Sequence, residues 1–508
     1  MPTAQSKKST SFLIDNMNCY LGLDIGTTGV KAGIFDACGN MLGVGLQEYT
    51  LETPAPDIVE LDAEIYWQSA KSAISQAVEQ AAIKPEMIKA MSVTGQVETL
   101  IMVDDNGDPV RKAIVWLDNR ASEEAKFLEE KFGSEALFRL SGQTEMLPCW
   151  PAPKILWYQK HEPENFARTS KYLMVEDYIV YKLSGKFVTG TGLLPSTLYF
   201  DIRTNQYDQS MLEALQITIE QLPELKNSAE AMTVAVKNDS LIAAGTLIAA
   251  APLDHVCGNL GSGCAEAGVI SETTGCTLAL CANFKEIVYD EARHLSTYLG
   301  FEPGSFVLLP WAPTAGMVLK HFRDEFSGSM DYKEFDAAAE KVAPGSEGLI
   351  LLPHCAGAIS PDCNPFARGT AWGITLAHKR EHWARAIMES VAYLLRSNVE
   401  ALKKMNCQIR ELRSLGGGSR SKLWLQIKAD VLNLPVTVTE CTEATSLGAA
   451  MLAAVAAGEY KNCADAAKNM VKTAFRVEPG SNAEVYEKCF RKYEEINKLV
   501  MPTYKGEL

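Results

Sequence analysis

The chain has 508 residues, of which 47% are hydrophobic and 22% are charged, as in a soluble globular protein with room for two or three domains. Its formal net charge of −15 argues against a nucleic-acid surface, because phosphate backbones are bound by clustered lysines and arginines. No run of about 18 apolar residues occurs, which argues against a membrane-spanning helix.

The thirteen cysteines include no C-x-x-C pair and lie singly in apolar surroundings. This pattern favours buried, reduced thiols over disulfides or a metal cluster. The segment 1–18 is polar apart from Phe12, Leu13 and Ile14, and this apolar core is too short for a secretory signal. We therefore expect a cytoplasmic protein.

The first predicted elements, within residues 20–35, are a short apolar strand, a tight turn and a second strand that begins at Val30. Gly26 and Gly29 permit backbone angles at which successive N–H groups converge, and such a nest binds anions. The loop lacks the G-K-[ST] of a Walker A loop, and no helix follows it as in a dinucleotide fingerprint. A plain β-hairpin with a glycine turn is the alternative.

Polar side chains surround this turn. Thr27 and Thr28 add hydroxyl donors, and Lys31 adds a positive charge. Asp24 supplies a carboxylate at the end of the first strand, where a hydrated Mg²⁺ can be held. Together these groups predict a nucleotide phosphate site.

A helix capped by Asp62 is predicted next, before a strand at 89–103 that polar residues interrupt at 94–99. A turn then leads into another strand at 113–116. α/β proteins place ligand-binding residues at the ends of apolar strands. The polar residues in such positions here are Gln96, Glu98, Asp118 and Arg120. Their alternative role is to cap and solvate loops.

Three prolines, Pro148, Pro151 and Pro153, precede a predicted amphipathic helix that starts near Lys154. Trp150 lies between the prolines. Its flat apolar ring suits either a wall against a sugar ring or core packing, and both roles stay open.

Asp254 follows the apolar segment 241–251 and precedes a glycine-rich helix start. A carboxylate there can accept a proton from a substrate hydroxyl as its oxygen attacks phosphorus, since positioning and charge neutralisation do most of the work in phosphoryl transfer. His255 is a second candidate ligand. The alternatives are helix capping by Asp254 and core packing by His255.

Residues 270–280 repeat the opening pattern of strand, Thr-Thr-Gly turn and strand, with Thr274 and Gly275 in the turn. Two similar turns about 250 residues apart predict two related domains that face each other across a nucleotide.

The C-terminal half contains a predicted buried strand at 348–353 and a long helix with an apolar stripe from Trp383 to Leu402. The glycines at 416–418 lie between a strand and a helix start. Their bare backbone lets a flat ring such as adenine lie close, although an ordinary strand–helix turn is the alternative. The alanine-rich helix at 444–457 suits close packing at a domain hinge.

Taken in order, these motifs resemble the FGGY family of carbohydrate kinases. They are D-I-G-T-T-G, T-G-Q-V-E-T, W-L-D-N-R, P-A-P-K-I-L-W, D-H-V-C-G, T-T-G-C-T, G-T-A-W-G-I-T-L, G-G-G-S-R-S-K-L-W and S-L-G-A-A. They span Tyr20 to about Tyr460. Within the family, P-A-P-K-I-L-W and the block from G-G-G-S-R-S-K-L-W to S-L-G-A-A look most like xylulokinases.

The resemblance implies an α/β fold with two ribonuclease-H-like domains of the actin and hexokinase superfamily and an active-site cleft between them. The implied domains are a sugar-binding, catalytic domain at 19–262 and a nucleotide-binding domain at 263–508. It further implies ATP as phosphoryl donor, Mg²⁺ as cofactor, and a ketose or polyol as acceptor. No nucleic acid or membrane partner is expected, and a homodimer is an open alternative to a monomer.

Individual roles follow from the same resemblance. Asp254 is the implied general base, and Asp24 and Asp254 are the implied metal-site residues. The implied nucleotide contacts are Gly26, Thr27, Thr28, Lys31, Thr274, Gly275, Gly417, Gly418 and Ser421. The implied substrate contacts are Gln96, Val97, Glu98, Trp150, Asp254 and His255.

The substrate positions depart from the family patterns. Xylulokinases commonly show Q-M-H-G and glycerol kinases Q-R-E-T where this chain has Q-V-E-T. Glu98 therefore matches the glycerol kinase pattern, but Val97 stands where that pattern has an arginine. His255 replaces the usual Asn or Gln, and residues 358–361 also depart from xylulokinases. The alternatives are therefore a glycerol or tetritol kinase, an actin-like ATPase without kinase activity, and a kinase-like sugar sensor.

Overall fold

The computed structural model describes residues 17–236, 241–326, 328 and 330–505. Most of the polar N-terminal segment, residues 1–16, and residues 506–508 of the expected second domain lie outside the described residues.

The N-terminal half, residues 17–262, combines two large sheets with flanking helices. Its strands are β1 (Cys19–Ile25), β2 (Gly29–Asp36), β3 (Met41–Glu48), β4 (Glu52–Ala55), β5 (Ile58–Leu61), β6 (Ile88–Gly95), β7 (Leu100–Val103), β8 (Ala113–Ile114), β9 (Lys171–Met174), β10 (Val188–Gly190), β11 (Phe200–Asp201), β12 (Gln206–Tyr207), β13 (Glu224–Lys226), β14 (Ala231–Val234) and β15 (Leu247–Ala249). Its helices are α1 (Ala63–Ala81), α2 (Ser122–Phe132), α3 (Ser134–Ser141), α4 (Pro151–His161), α5 (Pro163–Arg168), α6 (Val175–Ser184), α7 (Gln209–Leu215) and α8 (Asp254–Gly261).

The first large sheet has the order β14-β15-β6-β1-β2-β3. Strands β1, β2 and β3 are antiparallel, whereas β1 pairs in parallel with β6, and β6 in parallel with β15. Side chains from this sheet, α1 and α6 form one apolar core. The second sheet, β4-β5-β8-β7-β9, is antiparallel and packs on α4.

Helix starts follow their local chemistry. The Asp62 side chain accepts the Glu64 N–H at 2.9 Å, which confirms the predicted cap of α1. The prediction for α4 was wrong by three residues, because the helix begins at Pro151 rather than near Lys154. Pro151 and Pro153 fit in its first turn, where backbone N–H groups have no intrahelical acceptor.

The C-terminal half, residues 263–505, is built around one large sheet. Its strands are β16 (Val269–Thr274), β17 (Leu278–Phe284), β18 (Ser296–Leu299), β19 (Phe306–Leu309), β20 (Trp311–Ala312), β21 (Ile350–Leu352), β22 (Thr370–Trp372), β23 (Glu411–Leu415), β24 (Val436–Thr439) and β25 (Thr473–Val477). Its helices are α9 (Gly316–Phe326), α10 (Tyr332–Ala339), α11 (Arg380–Lys404), α12 (Lys422–Leu432), α13 (Ala444–Ala456), α14 (Cys463–Met470) and α15 (Ala483–Val500).

This sheet repeats the pairing of the first. Its order is β18-β19-β17-β16-β23-β24-β25, with β16 and β17 forming a hairpin and β16 pairing in parallel with β23. In both halves, therefore, the first strand of a glycine-turn hairpin pairs in parallel with a later strand. The predicted buried strand is β21, and the predicted long helix is α11, which packs with α12 and α15 on the sheet.

Helix α13 belongs to the C-terminal half but packs between β1 and α8. A Cβ on Gly22 of β1 would lie 1.8 Å from the Ser446 oxygen, and one on Gly448 would lie 1.9 Å from the Cys257 oxygen. Since glycine alone permits these approaches, the predicted close packing of this helix is confirmed. Apolar residues of both halves share the surrounding core.

All thirteen cysteines are free; Cys19, Cys257, Cys264, Cys281 and Cys463 are buried. Cys38, Cys276 and Cys355 are exposed, so the expected burial holds for only part of the set. Among the described residues, none of the helices combines the length and apolarity needed to cross a bilayer.

Candidate active site

Two carboxylates, Asp24 near the end of β1 and Asp254 at the start of α8, lie close enough for the charge of Asp254 to act on Asp24. Burial raises the pKa of Asp24 to about 7, and the negative charge of Asp254 contributes to the rise, while Lys31 opposes it. Asp24 Oδ1 is buried and has no hydrogen-bond partner within the described part of the chain. The two residues that sequence analysis assigned to the metal site are thus electrostatically coupled.

Asp254 is not the cap of its helix. The capping position is Leu253, and Asp254 is the first helical residue. One of its oxygens, Oδ1, accepts the His255 N–H at 2.6 Å, which orients the carboxylate. The capping alternative is therefore wrong, and the other oxygen is available to a ligand.

The first phosphate turn, between β1 and β2, is closed by a hydrogen bond from the Gly26 N–H to the Gly29 oxygen at 2.9 Å. Thr27 and Thr28 lie outside the strand ladder. The Thr27 hydroxyl oxygen accepts the Trp116 indole N–H at 3.0 Å, and its own proton can be donated to a phosphate. Trp116 thus joins the phosphate turn to the region after β8.

Lys31 is paired within the protein. Its ammonium donates to Glu443 Oε2 at 2.8 Å, and 41% of the Lys31 side chain is exposed. A phosphate that binds Lys31 must therefore compete with the Glu443 carboxylate, which directly precedes α13.

The second phosphate turn, between β16 and β17, is closed by a bond from the Gly275 N–H to the Thr277 oxygen at 3.0 Å. The start of α9 docks on this turn, because the Gly316 N–H donates to the Gly275 oxygen at 2.9 Å. A helix N-terminus carries partial positive charge and favours anions. Sequence analysis missed this helix start.

The glycine loop before α12 packs directly on the second turn. A Cβ on Gly418 would lie 2.8 Å from the Cβ of Thr274, whereas one on Gly417 would meet nothing within 4 Å. The predicted adenosine loop and the second phosphate turn are therefore neighbours. Ser421 caps α12 by accepting the Trp424 N–H at 3.1 Å.

The substrate loop, residues 96–99, joins β6 to β7. Glu98 adopts a left-handed backbone with φ +68°, which is uncommon for a residue with a side chain. Its carbonyl accepts from the fully buried Lys154 ammonium at 2.9 Å, and the same ammonium donates to the Val115 oxygen at 2.9 Å. Burial raises the pKa of the Glu98 carboxyl, as does Asp254, against the opposing effects of Ser196 and Lys154.

Gln96 lies next to the first turn. Its N–H donates to the Ile25 oxygen at 2.8 Å, and its Nε2 donates to the Tyr49 hydroxyl at 3.4 Å. The Tyr49 hydroxyl in turn donates to the Gly26 oxygen. Gln96 Oε1 is buried without a partner in the described residues, as expected of an acceptor that a substrate hydroxyl would fill.

Three further predicted substrate residues differ in their surroundings. Trp150 is only 6% exposed and lies in the apolar cluster around α4, which favours core packing. Val97 is 8% exposed and belongs to the core that both halves share. His255 is half-buried beside Asp254.

Asp118 and Arg120, for which ligand binding and loop capping both stayed open, are paired within the protein. The two side chains pair with each other at 2.7 Å, and Arg120 also binds Glu60 at 2.7 Å. Asp118 Oδ2 further accepts the Val59 N–H at 2.6 Å. The cluster therefore braces β5 against the segment after β8.

Sequence analysis missed Tyr298, on β18. Burial, together with the charges of Glu98 and Asp254, raises the pKa of Tyr298 well above its ordinary value. This phenol from the C-terminal half therefore lies close to the predicted substrate residues.

The residues at the cleft fit a hydrated Mg²⁺. Asp24 and Asp254 supply hard oxygen donors, which Mg²⁺ prefers, and Asp24 Oδ1 lacks a protein partner. Within the described ranges, no group of three or more metal-ligating side chains occurs. Because Mg²⁺ usually keeps several waters, two carboxylates beside nucleotide phosphates are sufficient.

Comparison with known proteins agrees with this geometry. Residues 19–261 match the N-terminal domain of the FGGY family of carbohydrate kinases, and residues 273–457 match its C-terminal domain. The chain is 32% identical to the glycerol kinase of Deinococcus radiodurans, over 94% of this chain and 96% of that protein. It is 27% identical to the xylulose kinase of Staphylococcus epidermidis, with the same two coverages.

Solved structures show the same fold. The crystal structure of xylulose kinase from Rhodospirillum rubrum matches with a TM-score of 0.87 at 24% identity, covering 96% of this chain and all of that chain. The predicted two-domain α/β fold is thereby confirmed. The chain belongs to the FGGY family of carbohydrate kinases.

Proposed function

We propose that this carbohydrate kinase transfers the γ-phosphate of ATP to a hydroxyl of a neutral ketose of the xylulose type. The observation that carries the proposal is the buried Asp24 carboxylate beside the first glycine turn, whose Oδ1 lacks a partner among the described residues and whose pKa is raised in part by the charge of Asp254. The second glycine turn comes from the other half of the chain. A glycerol or tetritol kinase is the second candidate, which Glu98 and the 32% identity to a glycerol kinase favour.

In the proposed reaction, Asp254 accepts the proton of the substrate hydroxyl while that oxygen attacks the γ-phosphorus of ATP. The bond from the γ-phosphorus to the β–γ bridging oxygen breaks, and ADP leaves. The first turn holds phosphate through the Thr27 and Thr28 N–H groups and the Thr27 hydroxyl, because the Gly26 N–H closes the turn itself. The second turn, at Thr274–Gly275, contributes the N-terminus of α9 that docks on it. Asp24 and Asp254 would hold Mg²⁺, which would neutralise charge on the phosphate oxygens.

The charges around the cleft favour a neutral acceptor. Asp24, Glu98 and Asp254 contribute carboxyl groups, and the buried Lys154 ammonium near Glu98 is bound to backbone carbonyls. An acidic sugar would meet negative charge without an available partner, at a free-energy cost. Gln96 and Glu98 instead suit the hydroxyl groups of a neutral sugar.

We further propose that sugar binds the domain at 19–262 and ATP binds the domain at 263–508, with Gly417, Gly418 and Ser421 against the adenosine. Closure then excludes water, which would otherwise compete for the phosphoryl group. Helix α13 supports this proposal, because glycines at its contacts let it pack closely against β1 and α8 of the other half.

A product-resolved screen of ATP consumption tests the proposal. The panel is xylulose, ribulose, erythritol, glycerol and gluconate, with Mg²⁺ present. We expect a neutral ketose or polyol to stimulate ATP consumption most. If none of the neutral compounds stimulates it, or if gluconate is the best acceptor, the proposed function is wrong.

A further inference from the structure

A buried ion pair lies beneath the nucleotide side of the cleft. Lys428 on α12 and Glu272 on β16 are both 0% exposed, and Lys428 Nζ lies 2.6 Å from Glu272 Oε1. Removing two charges from water is costly, and a buried pair is often no more stable than apolar residues of the same volume. Stability alone therefore gives a weak reason for this pair.

The pair holds the hydroxyl of Thr274, the last residue before the second phosphate turn. Thr274 Oγ1 donates to Glu272 Oε2 at 2.7 Å and accepts from Lys428 Nζ at 2.9 Å. Both functions of the hydroxyl are thus used inside the protein, and the side-chain rotamer of Thr274 is fixed. The backbone of the turn is what remains for a phosphate.

The same cluster joins the elements that lead to the nucleotide-facing segments. Ser414, on β23, donates to Glu272 and lies 3.5 Å from Lys428 Nζ. Strand β16 leads into the second turn, β23 leads into the glycine loop, and α12 follows that loop.

Thr274 also sets the spacing between turn and loop. Its Cβ and Cγ2 would lie only 2.8 and 2.9 Å from a Cβ on Gly418, so the glycine loop packs on this side chain. A rotation of the Thr274 side chain would therefore change the separation of the two segments.

We propose that Lys428 and Glu272 are positioning residues of the nucleotide site, which hold Thr274 so that the second turn and the glycine loop form a fixed cradle for ATP. The inference rests on the proposed function, because it takes ATP to bind between these segments. Lys428 itself does not contact the nucleotide, since its side chain is fully buried.

The test is the double variant Lys428→Met/Glu272→Leu, which removes both charges and leaves no unpaired one. We expect the Kd of a fluorescent ATP analogue, measured without sugar, to rise about tenfold, the loss of about 1.4 kcal/mol. The sugar KM should stay close to the wild-type value, whereas the urea midpoint of unfolding should fall, because the buried Thr274 and Ser414 hydroxyls lose their partners. An unchanged Kd for the ATP analogue overturns the inference. An equal rise in the nucleotide Kd and the sugar KM, together with a lower urea midpoint, overturns it as well.

A matched control is available in the same half. Arg385 and Glu389 on α11 form another buried pair, at 2.9 Å, whose hydrogen bonds go to residues other than Thr274 and the glycine loop. The double variant Arg385→Met/Glu389→Leu should leave the nucleotide Kd unchanged. If it weakens nucleotide binding as much, the effect is not specific to the cradle and the inference fails.

A second variant covers the case in which the first does not fold. Thr274→Val keeps the shape and both charges but removes the hydroxyl, so it should raise the nucleotide Kd several-fold; no change contradicts the inference. If the wild-type chain binds the nucleotide but phosphorylates no sugar, only the proposed function is refuted. The nucleotide Kd values of the wild-type chain and the variants still decide the inference.

Discussion

The crossing of α13 with α8 fixes the position of the proposed base, and Gly448→Ala tests this directly. The added Cβ would lie 1.9 Å from the Cys257 oxygen and 3.0 Å from the Gly261 nitrogen. Ordinary contact begins at 3.4 Å, so the new methyl group is about 1.5 Å too close to backbone that has no rotamer to change. The helices must therefore separate.

The expected magnitude follows from this displacement. Overpacking costs about 1–3 kcal/mol, which the better helix propensity of alanine offsets by about 1 kcal/mol. Asp254 is the first residue of the displaced helix, three positions before Cys257. A misplacement of about 1 Å at a reacting group can cost 10²-fold in rate, so turnover should fall tenfold to a hundredfold.

Steady-state kinetics with the best acceptor of the screen, together with urea denaturation, measures both effects. Ala456→Ser is the matched control, because it adds one atom to the last, half-buried residue of the same helix. A Gly448→Ala variant with wild-type turnover would refute the reasoning that this crossing positions the base.

Three further predictions concern the substrate loop, the glycine loop and a buried acid. Lys154→Met removes the donor to the Glu98 and Val115 carbonyls, so the sugar KM should rise about tenfold while the nucleotide Kd stays within about twofold in titrations. Gly418→Ala should lower the urea midpoint and weaken nucleotide binding, because its Cβ would meet Thr274. Gly417→Ala places its Cβ in open space and should weaken nucleotide binding alone. Equal urea midpoints for the two variants would contradict this. Burial raises the pKa of Asp177 to about 7 in the folded chain. The protonated carboxyl therefore contributes its full stability below the unfolded pKa of about 3.9, and this contribution is lost as the pH rises through 7. Asp177→Asn should therefore flatten the fall of the urea midpoint between about pH 4 and pH 7, and an unchanged slope would count against it.

Local sequence signals predicted the parts of the site that depend on local backbone geometry. Both glycine turns, the Asp62 cap and the strand before Asp254 are features of a few consecutive residues. Their repetition in the two halves indicated a repeated domain, which the parallel pairing of β1 with β6 and of β16 with β23 bears out. The start of α4 was missed by three residues, although its prolines favour the first helical turn.

Interactions between distant positions were not predictable from the chain alone. Arg120 has its second partner at Glu60, and Lys428 has its partner at Glu272, 156 positions away. A polar residue at a strand end looks the same whether it binds a ligand or a remote charge. The burial of Trp150 likewise depends on how α4 packs against the second sheet.

The central claim is that Asp254 accepts the proton of the acceptor hydroxyl, and Asp254→Asn tests it most directly. Asparagine keeps an oxygen for the His255 N–H, so the start of α8 should be preserved. We predict that sugar-dependent turnover falls about 10²- to 10⁴-fold while the Kd for ATP stays nearly unchanged. Full turnover in this variant would contradict the account.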